Sequence, residues 1–217
     1  MQYFANAVIS GAFIFIVSVG FFLVLRVNRF LNFTHGLFVA LAGYLVLLFT
    51  ARAGIPMWGA VSLALFLTGL AGYGLERVLH APLRGKGASS LEHLVASIGM
   101  FEAGQNLIAI AFGDQTSSFR SAAVQEGWIV AGARITPVQA ASVAVAAAVF
   151  VSVWLVMRHT RVGLRWEAVS SDLFLAKAQG IDAERVQREV MVTSAVIASI
   201  GGILIGSDGP RKWDWHP

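Results

Sequence analysis

The sequence contains no cysteine, which removes disulfides, iron–sulfur ligation and thiol chemistry from consideration. Charge is the next scarcity. Only 13% of the 217 residues are charged, against 57% hydrophobic residues and a mean hydropathy of +0.71. A soluble globular domain carries about twice that charged fraction, so the chain reads as an integral membrane protein whose solvent is the lipid bilayer. No basic run precedes the first apolar stretch, "MQYFANAVISG", and a retained first span is expected there in place of a cleaved signal peptide. The His-Glu-x-x-His, Walker A and Gly-x-Ser-x-Gly patterns are also missing, so no catalytic residue, metal site or nucleotide site is expected on this chain. The net charge is +4 and the pI about 10.0, yet the basic residues are dispersed between apolar runs. That dispersal argues against a nucleic-acid partner, which would need a basic stripe.

What is present is a series of long apolar windows, at about residues 5–25, 33–51, 56–75, 94–112, 137–157 and 190–206. Each approaches the roughly 20 residues a helix needs to cross about 30 Å of hydrocarbon. None shows the period-2 alternation of barrel strands. The fold class predicted is an all-α polytopic membrane protein of about six transmembrane helices. A single transmembrane domain covers 1–206, followed by a polar tail over 207–217.

If the connections after the first, third and fifth spans face the cytoplasm, they carry eleven of the sixteen basic residues: Arg26, Arg29, Arg77, Arg84, Lys86, Arg158, Arg161, Arg165, Lys177, Arg185 and Arg188. The positive-inside bias then puts both termini outside. The external connection 113–136 contains "WIVAGARIT", which alternates enough for a short hairpin over the mouth of the bundle, the alternative being a plain capping loop.

Between the fifth and sixth windows lies "VGLRWEAVSSDLFLAKAQGID", residues 162–182. Residues 163–179 read as one helix, with Trp166, Val169, Leu173 and Ala176 forming an apolar stripe. A second ridge of Ala168, Asp172, Ala176 and Gly180 sets small residues beside one carboxylate at i+4 spacing. Gly180 suits the left-handed end of a helix, and Asp182 suits the N-cap of the next. A short amphipathic helix, a tight corner and a transmembrane helix in series transmit force from whatever grips the short helix. The alternative is an interfacial helix lying on lipid. Its polar face would then be predominantly basic, whereas Arg165 and Lys177 are balanced here by Glu167 and Asp172.

The segment "GLRWEAVSSDLFLAKAQGIDAERV" resembles the cytoplasmic coupling segment of ABC-importer permeases of the branched-chain amino acid (LivH-type) family. Two further stretches strengthen the resemblance. "NFTHGLFVALAGYL", residues 32–45, is similar to the family's Asn-Phe-x-His-Gly opening of the second span. "IGMFEAGQNLIAIAFG", residues 98–113, fits its fourth span at Ile98, Gly99, Gln105, Asn106, Phe112 and Gly113. The likeness runs from about the first span to Gly206, after which the family continues through further membrane helices while this sequence reads "SDGPRKWDWHP". A C-terminally shortened member is therefore expected.

The resemblance implies a permease subunit that moves branched-chain amino acids, or similar small polar solutes such as amides and urea, across the bacterial inner membrane. It implies cytoplasmic ABC ATPase subunits that bind ATP and Mg, a second permease subunit and an extracytoplasmic substrate-binding protein. Asp172, Ala176, Gly180, Ile181 and Asp182, with Ala168 beside them, would dock into the ATPase. Two other readings stand beside this one. One is an ATP-independent channel or secondary carrier lined by Glu102, Gln105 and Asn106, although the paired broken helices of carriers are not found. The other is a non-transporting truncated permease.

Several polar residues fall inside or at the ends of spans. Asn32 suits an N-cap of the second span, and His35 fits either a structural hydrogen bond or the substrate pathway. Gly36, Ala40 and Gly43 put small residues on one helix face, a packing pattern. Glu102 sits near the middle of the fourth span, with Gln105 and Asn106 about one turn on. An ionisable group at that depth marks a pathway by default, the alternative being a hydrogen-bonded contact between helices. The family usually has an apolar residue where Glu102 stands, so a local preference for a cationic or amide-bearing substrate is one expectation.

Overall fold

A computed structural model of the chain describes residues 2–113, 128–130 and 133–208. Among these, six helices are long and apolar enough to cross a membrane, which gives the predicted all-α polytopic fold. They are α1 (Gln2–Asn28), α2 (Thr34–Ala51), α3 (Met57–Leu75) continued by a short extension, α5 (Ser90–Phe112), α6 (Pro137–His159) and α9 (Ala183–Asp208). Helices close every backbone hydrogen bond within the segment, so they suit apolar sequence in lipid. A small antiparallel hairpin, β1 (Trp128–Val130) paired with β2 (Ala133–Ile135), stands between α5 and α6 where the alternating stretch allowed either a hairpin or a plain loop. Residues 114–127, and the tail from 209 on, lie outside the described residues.

The third span runs further than its hydropathy suggests. A single π-helical turn, Glu76–His80, carries α3 into α4 (Ala81–Gly85), so the helix stays continuous through Arg77 and Arg84. Such turns insert one residue into the helical ladder and often mark functional positions. The next helix then starts at Ser90, earlier than the apolar window, because Ser89 and Glu92 form a reciprocal capping box.

Helix α9 is the hub, packing against α1, α2 and α3. More than half of its membrane-length window is buried, against about a sixth for α5 and for α6. Its close approaches depend on small residues. The α carbon of Gly202 faces the backbone of Val39, so a Cβ there would overlap the Val39 carbonyl, and a Cβ on Gly72 would lie 2.7 Å from that of Ala195. Hydroxyls buried among these helices return to their own backbone: Thr68 donates to Ala64 O at 2.8 Å, and Ser199 to Ala195 O at 2.6 Å. This satisfies each polar group where no water is available.

The segment between α6 and α9 differs from the single helix predicted over 163–179. It is two helices, α7 (Arg161–Ser171) and α8 (Leu173–Ala178). Asp172 breaks them apart with φ −145° and ψ 108°, and its Oδ1 accepts from Leu175 N at 2.9 Å as the N-cap of α8. The short side chain of Asp competes for backbone donors that a continuous helix would use.

Candidate functional site

The α7–α8 corner is fixed at each joint by a specific side chain. Thr160 ends α6 and starts α7: its hydroxyl donates to Val156 O at 2.7 Å and accepts from Gly163 N at 3.1 Å. At the far end, Gly180 takes φ +79°, with Gly180 N to Lys177 O and Ile181 N to Ala176 O both at 3.0 Å. This paired closure is the Schellman arrangement, which needs a residue free to adopt the left-handed conformation. Asp182 Oδ1 then accepts from Arg185 N at 3.0 Å and caps α9.

The break at Asp172 decides which side chains of the corner are available. The apolar stripe faces inward, with Trp166, Val169 and Ala176 buried against the bundle. Ala168, Asp172, Ala176 and Gly180 therefore do not form one continuous outward ridge. Ala176 belongs to the core, Asp172 is committed to its cap, and Gly180 is committed to its turn. The most exposed apolar side chains of the corner are Phe174, at 84%, and Leu164, ahead of Leu175. Sequence periodicity ranked neither, because an outward Phe on a helix is indistinguishable from an inward one until the helix break is placed.

Two clamps join the corner to the bundle. Arg29, itself at φ 59° beyond the end of α1, donates from Nη2 to Ser170 O and Ser171 O, both at 3.0 Å. A guanidinium against the last carbonyls of α7 also opposes the negative end of the helix dipole. On the other side, Glu189 of α9 accepts from Trp166 Nε1 at 3.3 Å, lies 3.8 Å from Arg165 and is bonded by Arg185 at 3.3 Å. The corner is thus linked to α1 and α9 at once. Sequence reading assigned Arg29 only to topology and gave Glu189 no role.

Asn32 and His35 lie inside the bundle and are engaged there. Asn32 donates to Met191 Sδ at 3.3 Å and accepts from Thr34 N at 3.2 Å, so it bridges α9 to the start of α2. The residue flanking α2 is Phe33, one position later than the predicted cap. Both ring nitrogens of His35 are within 2.9 Å of a partner, Nδ1 of Ser194 Oγ and Nε2 of Val17 O. A carbonyl only accepts, so Nε2 carries a proton and the neutral ring takes the Ser194 hydroxyl at Nδ1. Gly20 leaves room for this ring, as a Cβ there would lie 2.7 Å from His35 Cε1. Gly36 faces a different helix, with Phe101 of α5 3.1 Å from where a Cβ would stand, and Ala40 and Gly43 are half-buried.

Glu102 and Asn106 are on the opposite kind of surface. They lie on the outward face of α5, with Leu91, Val95, Ile98, Leu107 and Ile110 also exposed. Asn106 Nδ2 donates to Glu102 O at 2.7 Å, while Gln105 is half-buried. The five polar pathway candidates are therefore split between the bundle interior and one outward face.

A buried polar cluster at the Arg-rich end escaped the sequence reading. His80 and His93 are buried with their Nδ1 atoms 3.1 Å apart, and Phe30 packs on both rings at centroid distances of 4.6 and 4.7 Å. One turn earlier, buried Glu76 is ion-paired with Arg84. The spacing of Glu76, His80 and Arg84 at i+4 was the available signal. Among the described residues, no group of three or more His, Asp or Glu side chains suits a metal ion.

Residues 3–211 match the family model described as the permease component of the branched-chain amino acid transport system. The high-affinity branched-chain amino acid transport system permease protein LivH of Salmonella typhimurium is 26% identical over 219 residues, covering 95% of this chain and 70% of the relative. LivH of Escherichia coli shows the same identity and coverage. The permease protein BraD of Pseudomonas aeruginosa is 23% identical over 220 residues, again 95% of this chain and 70% of the relative. No solved structure matches significantly. With six membrane-length helices among the described residues and a family match spanning nearly its whole length, the chain belongs to the branched-chain amino acid transport system permease family.

Proposed function

We propose that this chain is the membrane-embedded permease subunit of an ABC importer in the bacterial inner membrane. Its substrates are branched-chain amino acids or similar small polar solutes, amides and urea included. ATP and Mg are bound by a partner ATPase, and the substrate arrives from an extracytoplasmic binding protein. The observation that carries this reading is the α7–α8 corner. It is short, capped at every joint and tied to both α1 and α9, yet it presents Phe174 almost fully to solvent.

An exposed aromatic on a rigid corner is suited to seating in a pocket of another protein, where such anchors dominate binding. Closure of the ATPase would move α8, and Arg29 and Glu189 would pass that motion to α1 and α9, biasing the bundle between two states. Glu102 supports the second half of the proposal. A carboxylate at mid-span is costly against lipid, so the α5 face that bears it is suited to lie toward a second permease and the path between the two.

Co-purification of this chain with its cognate ATPase in mild detergent tests the proposal. The native chain should retain the ATPase, and Phe174→Asp should lose it at least tenfold while its thermal unfolding midpoint stays within about 2 °C, as expected of an exposed site. Retention by Phe174→Asp removes the docking role. Failure of the native folded chain to hold any ATPase favours an ATP-independent conduit.

A further inference from the structure

A cleft of about 320 Å³ opens at the Arg-rich end of the bundle, between the end of α1, the turn before α5, the α7–α8 corner and the start of α9. Asn28, Arg29, Arg84, His93, Lys177 and Glu184 contribute to its wall. Two of these are deeply buried and carry unpaired polar atoms. Asn28 is 8% exposed with both amide atoms unpaired, and His93 is 3% exposed with Nε2 unpaired. Arg84 pairs with Glu76 through Nη2, but its Nε and Nη1 are buried and unpaired as well.

Such groups are rare in folded chains because each loses its water without replacement. Here the three residues that carry them all line one cleft, and their chemistry is mostly of one kind. The Asn28 amide nitrogen and the two Arg84 nitrogens are donors, and Lys177 adds an ammonium. In the tautomer where His80 Nδ1 donates to His93 Nδ1, His93 Nε2 is a donor too. Glu184 is exposed and is the one carboxylate in the wall. Arg29 adds positive charge while its Nη2 serves the end of α7.

We propose that this cleft binds a phosphate-type oxyanion, held by Arg84, Asn28, His93 and Lys177. Because Lys177 is on α8 and the other three belong to α1, α4 and α5, the bound anion fastens the corner to the bundle. The same chemistry is offered by free phosphate and by the phosphoryl headgroup of an anionic lipid, since the cleft lies where the spans end. The inference rests on the cleft alone and holds whether or not the corner docks an ATPase.

The test uses the full chain in phosphatidylcholine nanodiscs, titrated with inorganic phosphate at constant ionic strength against chloride. A second arm replaces part of the lipid with phosphatidylglycerol. The readout in both is the thermal unfolding midpoint of the native chain, Asn28→Leu and Lys177→Met. Lys177 is exposed, so its variant keeps the test independent of folding, and Asn28→Leu should raise the ligand-free midpoint by removing an unpaired amide. Free phosphate as the ligand predicts a saturable rise in the first arm, with apparent affinity at least tenfold weaker in both variants. A rise confined to phosphatidylglycerol and lost in both variants assigns the site to the lipid headgroup. No rise in either arm, or a rise that either variant keeps, overturns the proposal.

Discussion

His35 illustrates how a single buried polar side chain organises three helices. Its ring joins α2 to the Val17 carbonyl of α1 and to Ser194 of α9, and Gly20 leaves the space it occupies. His35→Leu keeps most of the volume but strands the Ser194 hydroxyl and removes both bonds. The expected cost is about 1–3 kcal/mol, read as a lower thermal midpoint in detergent, and Ser194→Ala should lose less because His35 keeps its bond to Val17. His35 was legible in the sequence as a polar residue at a span entrance. Its partners were not, because they lie 18 and 159 residues away along the chain and no local spacing encodes such a contact.

At the scale of elements, the informative object is the corner between α6 and α9. Its caps were legible: Gly180 and Asp182 adopt the conformations that their residue types favour. The helix break was not, because Leu173 and Ala176 continue the apolar period of Trp166 and Val169 straight through it. The signal against continuity was the run Ser170, Ser171, Asp172, three residues that favour caps over helix interiors. Asp172→Ala removes the cap of α8 at an expected cost of about 1 kcal/mol. Hydrogen exchange should report it as faster exchange at the Leu175 amide, whose bond to Asp172 is lost, with the α9 amides unchanged. Unchanged protection at Leu175 would show that the break is held by packing and not by the cap.

For the whole molecule, the distribution of burial matters most. Helix α9 is surrounded while α5 and α6 expose most of their membrane-length windows, and the exposed side of α5 carries Glu102 among aliphatic residues. On the reading that this face borders the path of a paired permease, Glu102→Gln keeps the size of the group and removes its charge. Uptake by the assembled importer should then shift its ranking of neutral, amide-bearing and cationic solutes by at least fivefold. An unchanged ranking with unchanged rate would remove Glu102 from the path.

By itself the sequence determined the class of protein, the number of spans, the capped corner and the family, because hydropathy, turn chemistry and local motifs are written in residues close together along the chain. Tertiary structure alone decided that α9 is the hub, that Asn32 and His35 point into the bundle while Glu102 and Asn106 point out of it, and that Asn28, Arg84 and His93 line one cleft. The reason is physical. A membrane helix that is apolar on all sides carries almost no periodic signal for which face meets a neighbour. Close approaches such as Gly202 against Val39 make that choice only once the helices are packed.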